Sequence, residues 1–238
     1  MVMKFFALIA LLSVIIGVEG ITSREAWAKK ESLESSPFFW KKPDYARWLA
    51  STLNWGTLST TSTRGSMIGQ AFGNPYSFSD GGNDNSTGTP YFLASTYDQS
   101  MHDIFDLDNN GTAPNLRVSL TLTEAQLNPL GNWNEFGVRA CSISNGGDPE
   151  NPPCSRLVLS GLYVNLTGTS EEDDAKRAFI SKHPMGVEWE TFSDFFYGKI
   201  EIDDVWFLDM YGGASIVDPV DYFAVDMTAV KENGHSNE

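Results

Sequence analysis

Histidine and cysteine are scarce in this chain: three of one and two of the other in 238 residues. That leaves little from which to build a nitrogen- or sulfur-ligated metal centre. His102, His183 and His235 lie far apart and show neither zinc nor haem spacing. Missing too are a phosphate-cradling glycine loop, a dinucleotide fingerprint and a G-x-S-x-G elbow, so the common nucleotide and serine-hydrolase sites have no sequence support. Positive charge is the third shortage. Sixteen Lys and Arg face 31 Asp and Glu, a formal net charge of −15, and a surface of that sign repels nucleic-acid phosphates and anionic lipid. Beyond the first twenty residues no apolar run nears the ~20 residues that cross a bilayer, so no membrane insertion is expected.

What is present begins with a secretory pattern. Lys4 supplies a basic start, Phe5 to Val18 an apolar core, and Val18 and Gly20 the −3 and −1 places of a cleavage site. Residues 1–20 therefore read as a signal peptide and the protein as secreted. In that oxidising setting Cys141 and Cys154, separated by the turn-rich SISNGGDPENPP, are expected to bridge, which would stabilise the fold by roughly 3 kcal/mol. Two free buried thiols are the alternative. Three sequons, at Asn85, Asn110 and Asn165, are expected to carry glycans, a bare surface asparagine being the alternative at each.

Residues 21–42 read as a charged N-terminal arm, 43–226 as one mainly β domain with short helices, and 227–238 as a C-terminal tail. Pro43 opens a helix, PDYARWLASTLN, whose Tyr45, Trp48, Leu49 and Leu53 share a face that would cover one end of a barrel. Strands follow at 56–63, 67–78 (with Pro75 marking an edge), 90–95, 115–123 and 155–164, and a hairpin turn is expected at Thr63 to Ser66. Ser170 is expected to start a second helix, with Asp173 as its capping-box partner and Glu171 to Asp174 at the positive end of the dipole. His183-Pro184 stops that helix.

The longest strand signal starts at Phe195. Phe196, Ile200 and Ile202 share one face; past Asp203-Asp204 the alternation changes phase, with Val205 and Phe207 against Trp206, Leu208 and Met210. One extra residue at Asp203-Asp204 would make a bulge and bend the strand around a barrel. Gly212-Gly213 ends the run.

Two tempting chemical motifs fall away. Asp106, Asp108, Asn110 and Gly111 match the first half of a calcium loop, but position 12 is Arg117 where a bidentate Glu is required. The acidic run at Glu171 is explained by helix capping without catalysis. No catalytic, cofactor-binding or metal residues are assigned.

Several segments in one order resemble the CREG family, the cellular repressors of genes stimulated by an adenoviral early protein. They are NWGTLST (54–60), FSDG (78–81), GTPYF (88–92), PPCSRLVLSG (152–161), KHPM (182–185) and VWFLDMYGGASIVDPVDYF (205–223). The resemblance implies an FMN-binding-type split β-barrel of the pyridoxamine-phosphate-oxidase kind, assembled as a homodimer. It also implies secretion, delivery to endosomes or lysosomes by a glycan-dependent sorting receptor, and restraint of cell growth. Flavoproteins of this fold hold the FMN phosphate with Arg and Lys on the second strand and its neighbour, whereas Met67 to Phe92 contains neither. No cofactor and no enzyme activity are therefore expected. An FMN-dependent oxidoreductase, or a lysosomal scavenging or structural protein, are the alternatives. One departure is local: where family members often carry a histidine just before the Phe-Phe, this chain has TFSDFF (191–196).

Overall fold

The computed structural model describes residues 41–82, 85–107, 113–127, 148–150, 154–192, 194–208 and 213–230. The signal peptide, nearly all of the arm, Asn110, Cys141, His235 and most of the tail lie outside these residues, as does the calcium-like loop beyond Leu107.

The described chain runs α1 (Lys42–Thr52), β1 (Trp55–Thr61), β2 (Ala71–Ser77), β3 (Tyr91–Ser95), α2 (Gln99–Phe105), β4 (Arg117–Thr123), β5 (Arg156–Asn165), α3 (Glu172–Lys182), α4 (Gly186–Trp189), β6 (Phe195–Leu208), β7 (Ala214–Val217) and α5 (Pro219–Phe223). Every strand pairing is antiparallel, in the order β2-β1-β4-β5-β6-β3, with β7 also on β6. The sheet curls until its two ends meet at one place: Ser79, just past β2, bridges to Tyr91 of β3, N–H to carbonyl both ways at 2.8 and 3.0 Å. Away from that bridge the edges part, which makes a split barrel.

β6 bends where the sequence changes phase. Ser160 of β5 faces Asp204 and Gly161 faces Ile202, so Asp203 is the extra residue of a bulge. The bulge reverses the parity of the strand: Ile200 points inward before it, Val205 and Phe207 after it, all three fully buried. Trp206 and Leu208 turn outward and stay half-covered. Gly161 permits the close approach this requires, since a Cβ built there would lie 1.9 Å from the Glu201 carbonyl oxygen.

The main core fills the curl. Leu58, Leu120, Leu122, Leu157, Leu159, Ile200, Val205 and Phe207 come from the strands, and α1 closes one end with Trp48 and Leu49, joined by Leu53 just past its C-terminus. Tyr45 of α1 reaches Phe207, with ring centroids 5.7 Å apart. A second, smaller core lies on the opposite face of β3 and β6, where α3 buries Ala175, Ala178 and Phe179 against Tyr91, Leu93 and Tyr197. β6 is thus covered on both faces near its start, where Tyr197 packs under α3.

Two local expectations are corrected. The Ser170/Asp173 capping box does not form: α3 begins at Glu172 with no side-chain cap, and Glu171 is instead committed to the Tyr91 hydroxyl (2.9 Å) and the Lys199 ammonium (2.6 Å). The tight turn at Thr63 to Ser66 is replaced by a longer link closed by Ser62 N–H to Gln70 carbonyl at 2.8 Å. Asp103, fully buried on α2, causes this by accepting from the Thr63 N–H (3.0 Å) and the Thr60 hydroxyl (3.0 Å), which draws residue 63 off the ladder. After Gly213 the chain also returns as β7 and then α5.

Gly161→Ala should destabilise the protein by about 3 kcal/mol or more, because backbone rather than a flexible side chain obstructs the new methyl group. Gly168→Ala, at φ 74° with nothing within 4 Å, should cost only about 1–2 kcal/mol. Urea unfolding of the two variants compares them directly.

Candidate functional site

The segments that carried the family resemblance converge at the end of the barrel capped by α1. Asp80, in the loop after β2, is fully buried. Its Oδ1 accepts from the Lys182 ammonium at 3.3 Å and from the Gly82 N–H at 3.3 Å, and its Oδ2 accepts from the Ser86 hydroxyl. Lys182 ends α3 and reaches across to donate to the Leu53 carbonyl at 3.0 Å and the Ala50 carbonyl at 3.4 Å. Those are carbonyls at the C-terminus of α1, which its own hydrogen-bond ladder leaves without donors and where a cation is favoured. Burial pushes the Lys182 pKa down, opposed by Asp80.

Arg47 makes a parallel tie from the middle of α1. Its Nη2 donates to the Ser86 carbonyl and hydroxyl oxygens, both at 3.1 Å, and its Nη1 to the Tyr222 carbonyl at 3.3 Å. The guanidinium carbon lies 5.3 Å from the Tyr222 ring centroid, and the Tyr222 hydroxyl donates to the Gly88 carbonyl at 2.9 Å. Gly88, at φ 80°, is required here: a Cβ would come within 2.8 Å of the guanidinium. His183 follows Lys182 and stacks at 4.7 Å on Phe179. Its Nε2 is 2.9 Å from the Phe78 carbonyl oxygen, which can only accept, so Nε2 carries the proton. Burial pushes the His183 pKa down, and the Lys182 charge adds to the shift.

Two shallow clefts of about 400 Å³ each open beside this junction. Ser51, Thr52, Asn54, Gly82 and Lys182 line the first, and Tyr91, Arg177 and Ala178 the second; Asn85 and Ser181 stand between them. Asn85 is exposed, so its sequon is sterically open. Asn165 is exposed at the end of β5, its Oδ1 accepting from the Thr167 N–H at 2.9 Å. Cys154 is fully buried, with Sγ 3.2 Å from the Asp148 carbonyl oxygen; its expected partner Cys141 is outside the described residues. His102 lies on α2 and His183 at the junction, so the structure does not bring the described histidines together. Among the described residues no group of three or more metal-type side chains forms. Asp80, Lys182, His183 and Tyr222 all lie inside the family-like segments, where the sequence assigns them no bonding role, and Arg47 lies outside those segments. Arg47 alone carried a signal, as a charge set among the apolar residues of the first helix.

The family model described as the CREG β-barrel matches residues 37–224. The chain belongs to the CREG family. Protein CREG1 of Mus musculus is 29% identical over 221 residues, spanning 93% of this chain and 91% of that one. Protein CREG2 of Mus musculus is 35% identical over 192 residues, 81% of this chain but 59% of the relative. A solved structure, a heme binding protein from Mycobacterium smegmatis, shares the fold at TM-score 0.55 and 18% identity, covering 76% of this chain and 60% of that one.

An FMN phosphate, which the fold family implies, does not fit the residues present in this CREG chain. β2 and β3 carry no Lys or Arg. Two cations near their meeting point are turned inward, Arg47 onto Ser86 and Tyr222 and Lys182 onto Asp80 and the α1 carbonyls, and a third, Arg177, lines the cleft beside Tyr91 but is paired with Asp174. Arg64 lies 4.6 Å above the Phe72 ring, and Lys199 is paired with Glu171.

Lys182→Met should destabilise the protein by about 3–5 kcal/mol, because it leaves the Asp80 carboxylate buried without its cation; adding Asp80→Asn should recover part of that loss in urea unfolding. Acid should also loosen the junction. The His183 pKa is lower in the fold than in the unfolded chain, where it is about 6.5, so the unfolded chain takes up more protons as pH drops through that range and stability falls. Thermal melts between pH 7.5 and 5.5 should show a smaller decline for His183→Gln than for the parent protein.

Proposed function

We propose that this protein is a non-enzymatic, secreted or lysosomal glycoprotein that restrains growth through binding, on a flavoprotein-type barrel that has given up the cofactor. The observation that carries this is the commitment of Arg47 and Lys182 to internal partners beside two strands with no positive charge. A phosphate placed there would meet no cation on β2 or β3, while Arg47 and Lys182 are engaged internally and the exposed Arg177 is paired with Asp174, on a chain whose overall field is negative. Secretion is supported by the leader of residues 1–20, and glycan-dependent sorting by exposed sequons at Asn85 and Asn165. The expected Cys141–Cys154 bridge suits the same compartment.

Assembly as a homodimer is supported by the outer face of the bent strand. Trp206 and Leu208 turn outward, Ile216 of β7 opposite Trp206 is 66% exposed, and Val158 of β5 flanks the other side of Trp206. Together they make an apolar stripe of the type that homodimers cover.

FMN titrated into the purified protein should neither acquire bound-flavin fluorescence changes nor co-elute with it. Stoichiometric, tight uptake would replace this reading with the oxidoreductase one. Trp206→Asp should give a folded monomer in sedimentation where the parent is a dimer, since Val205 and Phe207, not Trp206, fill the core; an unchanged dimer removes the seam.

A further inference from the structure

Asn85 sits at the mouth of the cleft between the 80–88 loop and α3, and its backbone is held in place. Its N–H donates to the Gly82 carbonyl at 3.2 Å, and the next two residues are both fastened to Asp80, Ser86 through its hydroxyl and Thr87 through its N–H at 2.7 Å and its hydroxyl at 2.9 Å. A group attached to the Asn85 side chain would therefore leave the loop from a defined point.

The cleft itself, about 400 Å³, has a floor and a rim of different chemistry. Tyr91 and Ala178 form the floor and are 6% and 8% exposed. Thr87, Ser181 and the exposed Asp174–Arg177 ion pair form the rim. An apolar floor ringed by hydroxyls and charges suits a neutral sugar, whose C–H face rests on the floor while hydroxyl and acetamido groups bond to the rim. The negative field of the chain does not oppose a neutral ligand, although it disfavours phosphorylated or acidic ones. The volume is at the small end of ligand sites, the size for one or two sugar rings.

We propose that this cleft seats the protein-proximal N-acetylglucosamine residues of the glycan carried on Asn85, so that the sugar becomes part of the packing between the 80–88 loop and α3. The inference rests on the glycoprotein reading above. Attachment is the ordinary transfer: the Asn85 amide nitrogen displaces a lipid diphosphate from the anomeric carbon of the oligosaccharide and gives up one proton. Once attached, the sugar meets the cleft at the effective concentration of a short tether, on the order of millimolar, so weak contacts suffice to hold it. Asn165 provides the contrast. It is exposed at a strand end, and a Cβ built at Gly168, at the turn that follows, meets nothing within 4 Å.

The test uses full-length secreted protein treated with a peptide-N-glycosidase under native conditions, with release at each sequon followed by peptide mass spectrometry. The Asn85 glycan should come off about tenfold more slowly than the Asn165 glycan, because it must first leave its seat, and the two rates should converge after denaturation. A second measurement compares hydrogen exchange of the parent with Asn85→Gln: amides of 174–181 should exchange faster in the variant and be unaffected in Asn165→Gln. Equal native release rates, or an Asn85 that carries no sugar while Asn165 does, overturn the seat and leave the glycoprotein reading standing. No sugar at any sequon overturns both.

Discussion

The buried ion pair between Asp80 and Lys182 is the contact on which this end of the molecule depends. Removing two charges from water costs several kcal/mol apiece, so such a pair persists only when further hydrogen bonds complete it. Here they do. Asp80 is also bonded by a loop N–H and by Ser86, and Lys182 by two carbonyls at the C-terminus of α1. One ammonium group therefore joins three pieces of chain far apart in sequence: the cap helix, the loop that closes the barrel, and the helix packed on its outer face. Arg47 duplicates the tie from the other side by bonding Ser86 and the backbone of α5.

That arrangement limits what this end of the barrel can hold. In a barrel that holds a phosphorylated cofactor, cations near the closing strands must point outward with free donors. In this protein Arg47 and Lys182 point inward, and carbonyls, a hydroxyl and one carboxylate engage their terminal nitrogens. The two clefts beside the junction are shallow, with Asp174, Arg177 and Lys182 as their charged residues.

The bulge at Asp203 plays a comparable part for the sheet. Before it, β6 shows one face to the main core and the other to α3; after it, the inward parity has switched and Trp206, Leu208 and Ile216 are left pointing out. A single inserted residue thus supplies the curvature that brings Ser79 to Tyr91 and also leaves the apolar stripe on the outer wall. Exposed Asp203, paired with Arg117 at 2.8 Å, keeps the bulge itself wet.

The sequence by itself determined whatever depends on neighbours along the chain. The strand periods, the Pro43 helix start, the edge position of Pro75 and the phase change at Asp203-Asp204 were legible because alternation and backbone restriction are local. So was the lack of phosphate ligands between Met67 and Phe92, which needs only the residue types. Tertiary structure alone decided the rest, because a lone charge acquires its meaning from what it faces. Glu171 looked like a helix cap and proved to serve Tyr91 and Lys199; Asp103 redirected a turn from forty residues away. Nothing near Asp80 in the sequence announces Lys182, 102 positions on, and only the closing of the barrel brings the carboxylate, the ammonium and the bare carbonyls of α1 into one dry place where each needs the others.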